Sequence, residues 1–280
     1  MSHKFTILAV GDIHTHLPVI LKVERHLDEF DKVVFLGDYV DDWDASPEAS
    51  YNTIKKLIRL KEKYPDKIEL LTGNHCLSEY LAGEFRCSGF KEITHQLVKN
   101  LYKTKDSGNV PLFQPAYSKG NILFTHAGIT KTYWKDLQLL IKNHYPSCQE
   151  ILNLPLTLAG KISNILGLAW LNHFSNRDDK LFQTFHQAGA YRGGFGTPSF
   201  VWADKEELLK DPLPKLHQVV GHSPVKTVEI MKQNTSTVCF CDTHSYAYIS
   251  GFDLTVPIGD ASFLKITLNK TPKYERIFLD

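Results

Sequence analysis

The stretch Lys32 to Asp42, KVVFLGDYVDD, constrains the fold most, because a run of strand-forming residues stops there at a glycine and a cluster of carboxylates. Val33, Val34, Phe35 and Leu36 are apolar without alternation, the pattern of a strand buried on both faces. Asp38 follows Gly37 at the end of that strand, where α/β sheets place their ligands. An isolated carboxylate is costly to bury, so Asp38 needs a metal ion, an arginine or several hydrogen-bond donors.

The same layout recurs along the chain. Phe5 to Val10 is closed by Gly11, with Asp12 and His14 two residues apart beyond it; Ile68 to Leu71 ends at Thr72-Gly73-Asn74-His75. Asn121 to Thr125 presents His126, Gln218 to Val220 ends in Gly221-His222, and Thr237 to Cys241 ends in Asp242-Thr243-His244. Phe200 to Asp204 reads as a further strand, and Ala261 to Leu268 and Tyr274 to Leu279 as closing antiparallel strands by alternation. Helices are expected over Pro18 to Phe30, from apolar residues near helical spacing, and from Ser46-Pro47-Glu48 to Pro65, where an N-cap, a first-turn proline and an early acid open the segment. Residues 77–118 read as surface helices and loops that say little about chemistry. From 130 to about 190 the chain turns helical and rich in leucine and aromatics, as an insertion or lid within one domain spanning 1–280. The class is α/β (α+β).

Strand-end residues Asp12, His14, Asp38, Asn74, His126 and His222 form a set of carboxylate, imidazole and amide donors suited to two divalent ions. A site of oxygen and nitrogen without thiolates fits Mn, Fe or Zn, with Mn2+ the first expectation, and a shared Asp38 would bridge the pair at the roughly 3.5 to 4 Å of two-metal hydrolases. Composition narrows the partners. Thirty-two basic and 31 acidic side chains nearly cancel in 280 residues, so no broad positive field offers itself to nucleic acid. The five cysteines are odd in number and lack paired spacing, as free thiols in a reducing compartment would be, and a cytoplasmic location is expected. Pro155, Lys161, Asn153 and Asn164 interrupt Ile151 to Phe174, which therefore falls short of the about 18 uncharged apolar residues of a membrane span.

GDIH, GDYVD, GNH, THAG and GHSP, in this order over residues 11–224, resemble the calcineurin-like metallophosphoesterase superfamily. The short GDYVD spacing and the HAG box are most similar to the phosphoprotein phosphatase branch and its bacterial relatives, including symmetric dinucleoside tetraphosphatases. The resemblance implies a sandwich of two facing mixed β-sheets flanked by helices. It implies one metal site of Asp12, His14 and shared Asp38, and a second of Asp38, Asn74, His126 and His222, with Asn74 also facing substrate. It further implies His75 as general acid with Asp41 behind it, and in-line attack by a hydroxide bridging the two ions. Chemistry supports the pairing independently, since a carboxylate raises an imidazole pKa and an alkoxide leaving group needs a proton donor.

Two departures stand out. The branch follows the second aspartate of GDxxD with a phosphate-gripping arginine, whereas Asp41 is followed by Asp42 and Trp43; Arg192 in RGG is the nearest substitute for phosphate binding. Pro224 replaces a further histidine ligand of phosphodiesterase-type members. The expected activity is a metal-dependent phosphatase acting on phosphomonoesters, on phosphoserine or phosphothreonine proteins among them. The alternative substrate is a dinucleoside polyphosphate, and the non-enzymatic alternative is a metal-binding scaffold. His16 and His244 are expected behind the ligands or in solvent, Cys76 as a packing or tuning residue, and Trp43 and Trp202 as buried residues or stacking surfaces.

Overall fold

In the computed structural model, residues 4–80, 86–173, 179–249 and 254–280 are described. The parts of the expected surface region at 81–85 and of the helical insertion at 174–178 lie outside the described residues. The strands are β1 (Thr6–Val10), β2 (Lys32–Phe35), β3 (Ile68–Leu71), β4 (Phe113–Gln114), β5 (Tyr117–Lys119), β6 (Ile122–Phe124) and β7 (His217–Val220). They continue with β8 (Glu229–Gln233), β9 (Ser236–Phe240), β10 (Tyr246–Ile249), β11 (Leu254–Pro257), β12 (Phe263–Thr267) and β13 (Lys273–Ile277). The helices are α1 (Leu17–Arg25), α2 (Pro47–Lys63), α3 (Asn74–Tyr80), α4 (Glu92–Val98), α5 (Lys131–His144), α6 (Pro146–Asn153), α7 (Leu158–His173), α8 (Lys180–Gln183) and α9 (Lys205–Lys210).

Two mixed sheets carry the core. The first has the order β13-β12-β1-β2-β3-β4, with β1 to β4 parallel and β12 and β13 antiparallel to their neighbours. The second has the order β5-β6-β7-β9-β8, with β6, β7 and β9 parallel. Side chains alternate faces along a strand, so each central strand serves two layers. Ile7 and Ala9 of β1, Val34 and Leu36 of the second strand region, and Leu71 of β3 meet Ile122, Phe124, Val219 and Cys239 between the sheets. Leu8, Val10, Val33, Phe35, Ile68 and Leu70 face the other way, against Ile20 and Val23 of α1 and Ile54 and Leu57 of α2. This double burial explains the unbroken apolar runs. The second sheet is covered by α5 to α8, whose Leu137, Ile141, Ile162, Leu166 and Phe182 pack with Leu123 and Leu216.

Three segments differ from their sequence reading. The first helix stops at Arg25, and Leu27–Glu29 follows as a separate 3-10 turn. Phe200 to Asp204 is a turn, not a strand. Asp204 caps α9 there in a reciprocal box with Glu207, so an apolar run that looked strand-like buries Phe200 and Val201 while the backbone reverses. Residues 77–118 are not chemically silent, because they bring Glu79, Arg86, Cys87 and His95 into or behind the cleft described below. Among the described residues no helix is long and apolar enough to cross a membrane.

Candidate active site

The carboxyl ends of β1, β2 and β3 in one sheet and β6, β7 and β9 in the other meet along one edge, where a cleft of about 300 Å³ opens. Its walls include Asp12, His14, Asp38, Asp41, Asn74, His75, Arg192 and His222. His126 lies directly beneath, fully buried. All nine residues expected at the site are therefore brought together.

Close backbone approach makes this convergence possible. Gly37 has φ +121°, and a Cβ there would fall 2.8 Å from His126 Nδ1. Each of two carboxylates sits on a glycine of a neighbouring loop and accepts from the next turn of backbone. Asp38 Oδ1 lies over Gly73 and accepts from the His75 N–H at 3.0 Å; Asp12 lies over Gly221 and accepts from the His222 N–H at 3.0 and 3.2 Å. His14, Asp38, Asp41 and His222 all hold positive φ without being glycine, the backbone strain that accumulates at functional sites.

Hydrogen positions follow from the partners. His126 Nδ1 lies 2.9 Å from the Leu36 carbonyl and His14 Nδ1 lies 2.9 Å from the Val40 carbonyl. A carbonyl only accepts, so in each ring Nδ1 carries the hydrogen and Nε2 of the neutral ring presents a lone pair. His126 Nε2 then faces Asn74 Oδ1 at 3.0 Å, Asp38 Oδ2 at 3.1 Å and His222 Nδ1 at 3.2 Å. Two of these partners are acceptor oxygens, so His126 Nε2 meets them either across its own proton, which a pKa raised to about 9 supplies in the metal-free protein, or across a cation. The Asn74 amide is turned this way because its nitrogen donates to Cys87 Sγ at 3.4 Å, a contact invisible in the sequence.

The donors fit divalent ions. Two groups, His14-Asp38-His75 and Asp38-His126-His222, bring ligand atoms within 4.8 Å of one another, and Asp38 belongs to both. Asp12 Oδ2 stands 3.9 Å from His14 Nε2. Asp242, at the end of β9, is almost fully buried, and neither of its carboxylate oxygens makes a hydrogen bond of normal geometry. Burial and then Asp242 raise the Asp12 carboxyl well above its ordinary range, and burial likewise raises Asp242. Such crowding of buried acids is relieved by a cation. Burial opposes ionisation of Asp38 too, but His126 and His75 outweigh it and lower its pKa; reciprocally, burial lowers His126 while Asp38 and Asp12 raise it to about 9. Burial, His126 and Arg192 lower His222, whose Nε2 is sealed and without a hydrogen-bond partner.

His75 is placed differently. Its Nδ1 lies 2.8 Å from Asp41 Oδ2, and its Nε2 stands 3.9 Å from Asp38 Oδ2. Burial lowers its pKa, but Asp38 and Asp41 reverse this, so it is raised overall. Arg192 is anchored by Asp204 at 3.0 Å and by the His222 carbonyl and Ser223 hydroxyl, each at 3.3 Å, on the His222 side of the cleft. Asp42, in the position of the branch's arginine, accepts from the backbone of Asp44 and Ala45 and faces His16 at 3.5 Å.

The remaining residues separate clearly. His16 lines the cleft against the Tyr246 ring, with burial lowering its pKa, while His244 packs behind on Phe263 and is lowered to about 4 by burial. Cys76 is buried in the core. Trp202 meets His222 edge-on, and Trp43 is half exposed at the cleft mouth. Asp242 followed the strand-end pattern in the sequence without the preceding glycine that marked Asp12, Asp38, Asn74 and His222.

The calcineurin-like phosphoesterase profile matches residues 5–249, from β1 through β10 and so across every strand end at the cleft. The chain belongs to the calcineurin-like phosphoesterase family. A candidate serine/threonine-protein phosphatase of Schizosaccharomyces pombe is 44% identical over 71 residues, 25% of this chain and 22% of that protein. The match thus spans about a fifth of that relative's length. The cold-active protein-tyrosine phosphatase of a psychrophilic Shewanella superposes with a TM-score of 0.52 at 15% identity, over 97% of this chain and 80% of the other. Another structure of a cold-active protein tyrosine phosphatase gives 0.54 at 15% identity, over 97% and 79%. At that identity the likeness is one of fold.

Proposed function

We propose that this calcineurin-like phosphoesterase is a metal-dependent phosphatase that hydrolyses phosphomonoesters. The observation that carries the reading is the convergence of Asn74 Oδ1, Asp38 Oδ2 and His222 Nδ1 on His126 Nε2, with Asp38 within ligand distance of His14 on one side and of His126 and His222 on the other. Asp12, His14 and Asp38 would hold one divalent ion, and Asp38, Asn74, His126 and His222 the other. Such ions ionise a water and polarise the phosphoryl oxygens. Mn2+ is the first choice for both positions, since every donor is nitrogen or oxygen.

Protein groups supply the rest. Arg192, fixed on three sides, binds phosphoryl oxygens as charge builds on them. His75 reaches over Asp38 with its Nδ1 hydrogen given to Asp41, and the upward shift of its pKa favours the ring form that can give an Nε2 proton to the departing oxygen. Asn74, turned by Cys87, faces the same oxygens. A cleft of about 300 Å³ is at the small end of ligand sites, which favours a phosphorylated side chain over an entire dinucleoside tetraphosphate.

The test compares a phosphopeptide, an aryl phosphate and a dinucleoside tetraphosphate, each with manganese-loaded protein. Faster release of phosphate from the monoesters supports the reading. Faster cleavage of the dinucleotide would overturn the substrate assignment, and full metal loading with no turnover on any of the three would favour a scaffold.

A further inference from the structure

Behind His75 lies a buried acid and a buried histidine for which the reaction above has no use. Glu79 is fully buried on α3, four residues after His75 and so on the same face of the helix. Its Oε2 lies 2.6 Å from Nδ1 of His95 on α4, itself 2% exposed. Its side chain is also within hydrogen-bonding reach of Asp41. Asp41 is thus gripped between His75 and Glu79, one helical turn apart.

One shared proton closes the donors and acceptors. Asp41 Oδ2 is taken by His75 and Glu79 Oε2 by His95, and the two oxygens left over, Asp41 Oδ1 and Glu79 Oε1, are both buried with no donor. Two ionised carboxylates cannot satisfy each other, whereas one proton between them satisfies both. We propose that Glu79, oriented by His95, carries a proton shared with Asp41 and so acts as a positioning residue that aims Asp41 at His75. The order of donation is then His95 Nδ1–H to Glu79 Oε2, Glu79 Oε1–H to Asp41 Oδ1, and His75 Nδ1–H to Asp41 Oδ2. Every carboxylate oxygen in the series then has a partner, and His75 keeps Nε2 free of the series, toward Asp38.

The charges around Glu79 agree. Burial, then Asp41, then Glu92 of α4 raise its carboxyl to about 9; among the described residues Tyr102 also interacts with Glu79 and Asp41, Cys87 with Asp41, and Lys99 and Lys103 with His95. Burial lowers His95, consistent with a neutral ring donating from Nδ1.

This inference rests on His75 being the proton donor, so its test is built to fail separately. In the manganese-loaded full chain, Glu79→Leu should lower kcat on an alkyl phosphate by about tenfold or more, and leave an aryl phosphate with a good leaving group within about threefold. Glu79→Gln, whose amide donates to Asp41 and accepts from His95, should restore the alkyl rate to within about threefold. Glu79→Leu combined with His75→Asn should be no slower than His75→Asn alone. Independently of turnover, the infrared difference between wild type and Glu79→Gln at neutral pH should contain a carboxylic-acid C=O band. A carboxylate band there instead would overturn the shared proton, even if Glu79→Leu fails to fold. Additive losses in the double variant, or a Gln variant as slow as the Leu variant, would overturn the positioning role. A His75→Asn variant at full rate on the alkyl ester would overturn the acid assignment itself, with the infrared result unaffected.

Discussion

The two sides of the cleft are satisfied in opposite ways. Around His126 Nε2, the oxygens of Asn74 and Asp38 and a ring nitrogen of His222 converge, and Asp12 and Asp242 crowd nearby as buried acids. Around His75, every nitrogen or oxygen that faces inward can be given a hydrogen or a partner by a proton placed between Asp41 and Glu79. The donor set of the first side suits a cation, and that of the second suits a shared proton. The proposed hydrolysis needs both, a charged centre for attack and a donor for departure, and Asp38 lies between them, accepting from the His75 backbone while facing His126.

The sharpest way to break this contrast is at Asp38. Asp38→Asn removes the carboxylate common to both donor groups, so both ions should weaken together by more than the roughly 100-fold that losing an outer partner costs. Titration calorimetry with Mn2+ checks this, and retention of either ion at wild-type affinity would remove Asp38 from its shared position. Next in size is His75→Asn. Turnover on an alkyl phosphate should fall by about 10² to 10⁴, with bound metal measured by elemental analysis unchanged. Metal loss in that variant would mean that His75 belongs to the cation side.

Arg192→Ala should cost about 1.5 to 3 kcal/mol in kcat/KM, the range for a hydrogen bond to a charged group, and should weaken product inhibition by inorganic phosphate. Equal phosphate inhibition in variant and wild type would leave the clamp to another group. The smallest effect concerns pH. Because the folded state raises Glu79 from 4.5 to about 9, its contribution to stability is fully present below about 4.5 and is lost as pH rises toward 9. In metal-free protein, wild type should lose stability relative to Glu79→Gln across that window by at most about 1.4 kcal/mol per pH unit. Urea midpoints at pH 5 and 8 would show it, and parallel midpoints for the two proteins would place the proton elsewhere.

The cation side was legible in the sequence, because a buried parallel strand, a glycine and a ligand-type residue follow one another directly in the chain. Gly37-Asp38, Gly73-Asn74 and Gly221-His222 carry that signal locally. What the signal lacked was everything held by residues from elsewhere. Cys87 orients Asn74 from 13 residues away, and His95 meets Glu79 from 16 away, both inside a stretch whose glycines and prolines suggested only surface helices and loops. Asp242 ends its strand without a glycine, since Gly11 supplies the close approach from the other sheet, where a Cβ would fall 2.0 Å from the Cys241 carbonyl. Phe200 to Asp204 was misread for a related reason. Its apolar residues are buried by a turn leading into the Asp204 cap, and composition alone does not separate a buried turn from a short strand.

Anomalous scattering from crystals soaked in manganese tests the central claim most directly. The account predicts two peaks flanking the Asp38 carboxylate, one toward Asp12 and His14 and the other toward Asn74, His126 and His222, with His75 bound to neither. A single peak, a pair that does not share Asp38, or no peak in the cleft would contradict it.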